Sequence, residues 1–397
     1  MRLSRRGLSV EESATLAISA KAKALKSEGH DVIDFGVGEP DFDTPQFIRD
    51  AAKLALDRGM TRYTPAAGTV DLRQAICDKL LQDNGLKYAP KQIVVSNGAK
   101  HALMNAFMAI LDPGDEVLIP SPYWVSYPEM VKLADGVPVF VHAGEDQAFV
   151  PTAAQLEAAC TPRTRAIVIN NPVNPTGAMF DNAELKKIAE LAVARDLFVV
   201  SDEIYEVLSF DGGKPVSIAS FGEEIKERTI VINGVSKTYA MTGWRIGYSA
   251  AAPQVAEVMA NIQSQATSNP NSIAQYAAAA ALRGPVDEVR AMAAEFDRRR
   301  LRITELVNAI PGLSALTPKG AFYLFVNVSA LLGKSLDGRP IADTMEFASV
   351  LLEREKVAVV PGSAFGAEGF VRLSYALSMD NLERGIGRLA AFAAALV

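Results

Sequence analysis

Residues 234–247 read Gly-Val-Ser-Lys-Thr-Tyr-Ala-Met-Thr-Gly-Trp-Arg-Ile-Gly, and this stretch decides the fold of the 397-residue chain. The five residues before it, Thr-Ile-Val-Ile-Asn at 229–233, are largely apolar and β-branched, which predicts a buried strand. The small residues that follow predict a turn, so Lys237 would emerge at the carboxyl end of that strand. Ligands of open α/β sheets bind at this edge. The stretch therefore predicts an α/β sheet with a lysine at its binding edge.

Lys237 and Arg245 also indicate the kind of ligand. A lysine amine becomes a covalent catalyst when it forms a Schiff base with a carbonyl compound. The guanidinium group of Arg245 carries a fixed charge and a planar set of donors that suits a phosphate. Together they predict an aldehyde that bears a phosphate. The alternative is that both side chains are solvated loop charges.

Outside this stretch, short β-branched runs alternate with longer helical patterns, which is typical of an α/β fold. Most of the runs are apolar throughout, as in strands covered on both faces. Two helix starts are also predicted: Thr44 as an N-cap before Pro45, with Gly59 after the helix, and Asp181 with Glu184 as a capping box. The predicted core strands are residues 92–96, 116–120, 137–141, 166–170, 197–201, 229–233 and 244–250.

The pattern changes after about residue 285. A long charged helix at 286–310 is followed by alternating strands at 321–328 and 370–376, then by an alanine-rich helix at 381–397. We predict a second domain here.

Composition limits the class of function. A chain that is 49% hydrophobic can bury a large core, and a net charge of -6 without a basic block gives no reason to expect nucleic acid or membrane as partner. The two cysteines, Cys77 and Cys160, do not indicate a disulfide framework, so we expect a cytoplasmic protein. Charges from Glu11 onward interrupt the basic start, which argues against a secretion signal. No metal site is predicted.

These features resemble the class I aminotransferases, whose cofactor is pyridoxal 5'-phosphate. The similarity begins with the lysine stretch. The nearest subgroup is the bacterial aspartate aminotransferases, which includes enzymes acting on prephenate. Further matching segments are Gly-Val-Gly-Glu-Pro-Asp-Phe at 36–42, Asn-Pro-Val-Asn-Pro-Thr-Gly at 171–177, Ser-Asp-Glu-Ile-Tyr at 201–205 and Val-Arg-Leu-Ser-Tyr at 371–375.

The resemblance implies the pyridoxal-phosphate fold type I. A large domain with a mainly parallel seven-stranded sheet would comprise residues 46–285. Residues 1–45 and 286–397 would form a smaller, discontinuous α+β domain.

Four side chains are implied to contact the cofactor ring. Asp202 ends an apolar strand, where a carboxylate is costly unless it is paired, and the family pairs it with the pyridinium nitrogen. Asn174 and Tyr205 would hydrogen-bond the phenolic oxygen, and Trp124 would stack on the ring. The alternatives are a helix N-cap for Asp202, a simple turn at Asn174 and a core position for Trp124.

The phosphate is implied to lie at a helix start. Small residues there expose backbone N–H groups to an anion, and the helix dipole favours its charge. By the family pattern Gly98, Ala99 and Lys100 would cradle the phosphate through their amides, assisted by Ser236 and Arg245. Tyr63 would reach the phosphate of a neighbouring subunit, which implies a homodimer with shared active sites.

Substrate binding is predicted around Arg372. A guanidinium group in an apolar strand requires an anion, and a carboxylate fits it best; an internal salt bridge is the alternative. The family uses this arginine for the substrate α-carboxylate, with Gly38, Trp124 and Asn174 nearby. Lys100 and Thr15 would bind a distal carboxylate.

Two positions depart from the relatives. Glu11 stands where prephenate-using enzymes tend to carry lysine, and Ala266 stands where relatives have serine.

The implied activity is amino transfer from aspartate or glutamate to 2-oxoglutarate or oxaloacetate by a ping-pong mechanism, in which Lys237 moves a proton from Cα. The partners would be a small amino acid, a 2-oxo acid and a second copy of the chain. A prephenate or aromatic aminotransferase and a pyridoxal-phosphate C-S lyase are the alternatives. A ligand-sensing regulator on the same fold is disfavoured because no DNA-binding extension is visible.

Overall fold

The computed structural model describes residues 3–10 and 14–397, except for the side chains of residues 5 and 14–17. The strands are β1 (Ile33–Asp34), β2 (Ile93–Ser96), β3 (Glu116–Ser121), β4 (Val137–His142), β5 (Thr164–Asn170), β6 (Phe198–Asp202), β7 (Thr229–Gly234), β8 (Gly247–Ala250), β9 (Ser314–Ala315), β10 (Tyr323–Asn327), β11 (Ser335–Leu336), β12 (Arg339–Pro340), β13 (Val357–Ala358), β14 (Val360–Pro361) and β15 (Phe370–Ser374). The helices are α1 (Arg5–Leu8), α2 (Ala14–Ser27), α3 (Gln46–Asp57), α4 (Val70–Asn84), α5 (Ala99–Ile110), α6 (Ser126–Leu133), α7 (Ala153–Ala159), α8 (Asn182–Ala194), α9 (Glu223–Arg228), α10 (Pro253–Ala266), α11 (Ser272–Arg283), α12 (Asp287–Asn308), α13 (Thr344–Glu355) and α14 (Met379–Ala395).

A seven-stranded sheet has the order β2-β8-β7-β6-β5-β3-β4. Strands β4, β3, β5, β6 and β7 run parallel, and β8 is antiparallel to both of its neighbours. Every residue of β7 is buried, whereas in the edge strand β4 only Val141 is buried. The α/β prediction and the mainly parallel sheet are therefore confirmed.

A second sheet, β14-β15-β10-β9, is antiparallel and packs with the C-terminal helices. Its core includes Phe296, Phe322, Phe347 and Phe392, all without exposed surface. Strand β1 pairs in parallel with β13, which attaches the amino-terminal segment to this part of the chain. This pairing supports the division into residues 46–285 and residues 1–45 with 286–397, which stays our proposal.

The prediction that Thr44 caps α3 is wrong. The helix begins at Gln46 after Pro45, without a side-chain cap. The Thr44 hydroxyl group instead donates to the carbonyl oxygen of Ala240 (2.7 Å) and accepts from Nε1 of Trp244 (3.0 Å). Tertiary partners have therefore taken the hydroxyl group that a cap would need.

Two other local predictions need correction. Trp244 lies in a short 3-10 helix, and β8 begins only at Gly247 because Arg245 adopts the left-handed conformation with φ 56°. Asp181 does cap α8 by accepting from the Glu184 backbone amide (2.8 Å). The Glu184 carboxylate, however, accepts from the backbone amide of Ala153, so the predicted box is incomplete. No helix in the described part of the chain combines the length and apolar character that a membrane span requires.

Candidate active site

A cavity of about 390 Å³ lies where the carboxyl ends of β5, β6 and β7 face the C-terminal sheet. Each of these strands delivers polar side chains at its end or in the turn that follows: Asn170 and Asn174 for β5, Asp202 for β6, and Ser236 and Lys237 for β7. Most of the residues predicted from the sequence line this single cavity: Gly38, Ala99, Lys100, Trp124, Asn174, Asp202, Tyr205, Ser236, Lys237, Arg245 and Arg372.

Lys237 extends into the cavity from the turn after β7. Its Nζ atom donates a hydrogen bond of 2.5 Å to the carbonyl oxygen of Gly38. Burial lowers the pKa of Lys237 to about 8; the charge of Glu39 opposes this shift, and those of Arg245 and Arg372 add to it. A larger fraction of the amine is therefore uncharged near neutral pH than in an exposed lysine.

Asp202 lies at the end of β6 and is only 3% exposed. The hydroxyl group of Tyr127 donates to its Oδ2 atom (2.7 Å), and the backbone amide of Ile204 donates to Oδ1 (3.3 Å). Burial raises the pKa of Asp202 to about 6, against the lowering effect of these two donors and of Lys237. A cation placed against this carboxylate would restore its ordinary acidity.

Arg372 is buried in β15 and lines the cavity. Its guanidinium group donates to Oδ1 of Asn174 (3.0 Å) and to the carbonyl oxygen of Gly36 (2.8 Å). It lies 4.4 Å from the centre of the Tyr323 ring. Burial lowers the pKa of Arg372, and its Nε atom has no hydrogen-bond partner among the described residues. No carboxylate of the described residues forms an ion pair with it, so the internal salt bridge considered above is not observed.

The aromatic side chains enclose the space between these charges. The hydroxyl groups of Tyr205 and Tyr323 lie 2.9 Å apart. The Trp124 ring packs edge-on against Tyr127, with centroids 5.3 Å apart, and Nζ of Lys100 lies 4.9 Å from its centroid. Burial, and then the charge of Arg245, lowers the pKa of Lys100.

The opposite end of the cavity is shaped by two glycines next to the start of α5: Gly98, which precedes the helix, and Gly247, which begins β8. Gly98 has φ 86°, and a Cβ atom there would lie 2.3 Å from Nη2 of Arg245. A Cβ atom on Gly247 would lie 2.2 Å from the backbone nitrogen of Ala99. Arg245 donates to the carbonyl oxygens of Thr242 (2.8 Å) and Asn97 (3.4 Å) and has no carboxylate partner in the described ranges. A cation beside free helix N–H groups is a binding site for an anion.

Of the described positions that the sequence analysis links to the site, Gly98, Tyr63 and Ala266 do not line the cavity. Gly98 directly precedes the cavity residue Ala99. Tyr63 is 90% exposed in the connection between α3 and α4. Ala266, at the end of α10, is exposed and does not line the cavity. The side chains of Thr15 and Glu11 lie outside those that the structure describes.

The sequence reasoning missed several residues of the cavity, among them Tyr127, Tyr323 and Glu39. Tyr127 follows Trp124 by almost one helical turn, and this spacing could have placed it on the same face. Tyr323 contacts the site because β10 pairs with β15, a long-range pairing that leaves no local signal. Glu39 lies within the matching segment at 36–42, and its charge next to Lys237 could have been noted.

Comparison with known proteins identifies the family. The chain matches the family described as aminotransferase class I and II over residues 30–389. It is 51% identical to an aspartate aminotransferase of Geobacillus stearothermophilus (99% of each chain) and 46% identical to an aspartate/prephenate aminotransferase of Nitrosomonas europaea (98% of this chain and 99% of that one). Its structure is similar to the crystal structure of an aspartate aminotransferase from Rhizobium meliloti, with a TM-score of 0.96 and 44% identity over 100% of both chains. The chain therefore belongs to the class I and II aminotransferases.

It is a pyridoxal-phosphate-dependent aminotransferase, and the residues of the cavity fit that cofactor. Among the described residues, the buried carboxylate of Asp202 forms no ion pair at one end of the cavity, and neither does Arg245, beside the start of α5, at the other. The amine of Lys237 opens into the same cavity. These groups match a ring nitrogen, a phosphate and an aldehyde respectively.

Proposed function

We propose that the enzyme transfers the amino group of aspartate or glutamate to 2-oxoglutarate or oxaloacetate in a ping-pong cycle. The observation that carries this proposal is the buried guanidinium group of Arg372, which lacks a carboxylate partner within the described residues and lines the same cavity as Lys237. An α-carboxylate would satisfy it in the usual two-pronged geometry. The printed names of the relatives support aspartate as a donor.

Each residue near the cofactor has a proposed role. Asp202 would hold the ring nitrogen, and Asn174 and Tyr205 the phenolic oxygen. Trp124 would stack on the ring. Gly98, Ala99 and Lys100 would bind the phosphate through their amides, together with Ser236 and Arg245.

When bound, pyridoxal phosphate supplies an aldehyde that links to amines and a ring that withdraws electrons. Arg372 binds the α-carboxylate, with the Gly38 backbone assisting, and so directs the Cα–H bond of the amino acid toward Lys237. The Nζ atom of Lys237 removes the Cα proton and holds it for transfer, a task that its lowered pKa suits. The ionised carboxylate of Asp202 provides a negative charge at the end of the site that would hold the ring nitrogen.

The preference for acidic substrates is proposed to depend on Lys100 and Thr15. The ammonium group of Lys100 lies against Trp124 at the wall of the cavity, where a second carboxylate would meet it. A prephenate aminotransferase is the second candidate, because the Nitrosomonas europaea relative is named for both substrates.

We also propose a cytoplasmic homodimer in which Tyr63 reaches the phosphate of the partner subunit. The support is the 90% exposure of Tyr63, which leaves its ring free for contact with another chain. The homodimer of the family implies the same arrangement.

A half-reaction screen tests the proposed substrates. Enzyme with bound cofactor is mixed with one amino acid at a time, and loss of the visible absorbance of the lysine-linked cofactor is followed by stopped flow. Aspartate and glutamate should react fastest. The aminated enzyme is then mixed with oxaloacetate, 2-oxoglutarate and prephenate; a fastest reaction with prephenate would favour the second candidate. Release of ammonia or a thiol without an oxo acid would contradict transamination.

A further inference from the structure

We infer that Gln275 and Gln263 are positioning residues that hold the segment carrying Tyr63, so that Tyr63 can serve the active site of the partner subunit. The inference rests on the shared site proposed above. Residues 61–69, between α3 and α4, form neither helix nor strand. Both glutamines have 0% exposure, although they lie on helices α11 and α10.

Gln275 binds this segment on both sides of Ala66 and Ala67. Its Oε1 atom accepts from the backbone amide of Thr69 (2.8 Å), and its Nε2 atom donates to Oγ1 of Thr64 (3.1 Å). The second Nε2 hydrogen donates to the carbonyl oxygen of Pro270 (2.9 Å). Thr64 directly follows Tyr63 in the chain, so Gln275 holds the side chain next to the exposed tyrosine and, at Thr69, the backbone at the end of the segment.

Gln263 joins the same segment to the phosphate end of its own site. Its Nε2 atom donates to the carbonyl oxygens of Ala66 (2.6 Å) and Val95 (2.7 Å). Its Oε1 atom accepts from Oγ of Ser96 (2.6 Å) and from Nδ2 of Asn105 (3.0 Å). Ser96 ends β2, two residues before the glycine of the phosphate cradle.

The side-chain amides of Gln275 and Gln263 fix the conformation of the segment at 61–69 through their hydrogen bonds. A buried amide is costly unless its hydrogen bonds are made, and an apolar residue of similar size would serve a helix core equally well. Here most of the bonds end on the segment that carries Tyr63 or on β2. Gln275 should therefore act on the partner's site alone, whereas Gln263 should act on both sites.

Hybrid dimers separate these effects. When one subunit carries Lys237→Ala, only the other subunit keeps the catalytic lysine, so a single site is measured. If Gln275→Met is placed in the Lys237→Ala subunit, that site receives its Tyr63 from the altered chain. We expect kcat/KM for aspartate and the affinity for pyridoxal phosphate to fall roughly tenfold. If Gln275→Met is placed in the other subunit, both values should equal those of the reference hybrid.

The affinity is read from the visible absorbance that only lysine-linked cofactor gives, and the melting temperature of each hybrid is recorded. Gln263→Met should weaken the site in both arrangements. Thr64→Val removes the hydroxyl group that Gln275 contacts. It should weaken the partner's site in the same way as Gln275→Met but by a smaller factor, so the inference can be tested even if the glutamine variant folds poorly. Leu185→Ala, a buried truncation on α8 that does not line the cavity, controls for destabilisation alone.

Equal losses for Gln275→Met in both arrangements, or a loss only in its own site, would overturn the inference. Tyr63→Phe in the same two arrangements tests the proposed shared site independently. If Tyr63→Phe lowers activity only at the site of its own subunit, the proposal of a shared site is contradicted. If Tyr63→Phe damages the partner's site and Gln275→Met does not, only the present inference fails.

Discussion

The hydroxyl group of Tyr127 donates a hydrogen bond of 2.7 Å to Oδ2 of Asp202, and both of these buried residues line the cavity. This donor opposes the rise in the pKa of Asp202 that burial causes. Tyr127 itself is held neutral, because burial and the adjacent carboxylate raise its pKa well above the usual value. The pair therefore keeps a buried negative charge available for the cofactor.

Replacing Tyr127 by Phe should raise the pKa of Asp202. A hydrogen bond to a charged group contributes about 1.5–3 kcal/mol, which corresponds to roughly one to two pKa units. The acidic limb of the kcat/KM profile against pH should move to higher pH, so the loss should be larger at pH 6 than at pH 8. Tyr88→Phe is the control, because the buried Tyr88 hydroxyl group has no hydrogen-bond partner among the described residues. An unchanged profile for Tyr127→Phe would contradict this account.

Asp202→Asn should stabilise the cofactor-free protein while it slows catalysis. The folded pKa of Asp202, about 6, lies above its ordinary value of 3.8, so the folded state binds the proton more tightly than the unfolded state. The penalty for the ionised group develops as the pH rises from about 4 to 6 and is complete above that range. We expect a gain of roughly 1–3 kcal/mol in the free energy of unfolding at pH 8, absent at pH 4. Urea unfolding at both pH values measures it; equal effects at both would refute the linkage.

Proton abstraction by the same Asp202→Asn variant should be slower by several orders of magnitude, because a neutral ring withdraws electrons poorly. Stopped-flow measurement with aspartate tests this. A loss below tenfold, about 1.4 kcal/mol, would mean that Asp202 is not the partner of the ring.

The rate at which the cofactor links to Lys237 should rise with pH and level off above about 8. Only the uncharged amine reacts, and the pKa of Lys237 lies near that value. Glu39→Gln should move the midpoint to lower pH, since the charge of Glu39 favours the ammonium form. Lys237→Ala should abolish both the linkage and transamination. The visible absorbance after mixing with pyridoxal phosphate reports the rate, and a midpoint that rises in Glu39→Gln would contradict the electrostatic assignment.

Gly98→Ala should weaken binding of pyridoxal phosphate at least tenfold, because the new methyl group would displace Arg245. Gly29→Ala is a matched control: its φ is 91°, close to the 86° of Gly98, and nothing lies within 4 Å of the added atom. Both variants should lose stability from strain at positive φ, roughly 1–3 kcal/mol for Gly98→Ala, because φ 86° with ψ 163° is a conformation that essentially only glycine adopts. Equilibrium titration should show the loss of affinity in Gly98→Ala alone.

Substrate specificity should separate Lys100 from Arg372. Lys100→Ala should lower kcat/KM for aspartate and glutamate while phenylalanine is nearly unaffected. Arg372→Leu should lower it at least tenfold for every amino acid, because truncating one partner of a buried charge pair costs about 2–5 kcal/mol. Equal losses for aspartate and phenylalanine in Lys100→Ala would remove the distal-carboxylate role and favour aromatic substrates or prephenate.

The sheet could be predicted from the sequence because its strands are buried on both faces and therefore read as apolar runs. The predicted run at 229–233 falls within β7 (Thr229–Gly234), and the others agree within one or two residues except at 244–250. Lys237 and Arg245 could be identified from side-chain chemistry. Most of the remaining site depended on a family resemblance.

Contacts between distant segments could not be read from local patterns. The bond between Arg372 and Asn174 joins residues 198 positions apart, and that between Tyr127 and Asp202 joins residues 75 apart. Thr44 was assigned to a cap because its neighbours suggest one, yet its partners come from a loop about 200 residues later. Such pairings follow from the packing of whole elements.

The pairing of β1 with β13 also constrains how the chain can fold during its synthesis. Strand β1 and the following residues Gly36 and Gly38 leave the ribosome early. The strand that pairs with β1 begins only at Val357, and Arg372, which donates a hydrogen bond to the carbonyl oxygen of Gly36, is made later still. At roughly 5–20 residues per second, on the order of tens of seconds separate the two events. The nascent enzyme therefore has a nearly complete parallel sheet, and the lysine it presents, well before it has a substrate pocket.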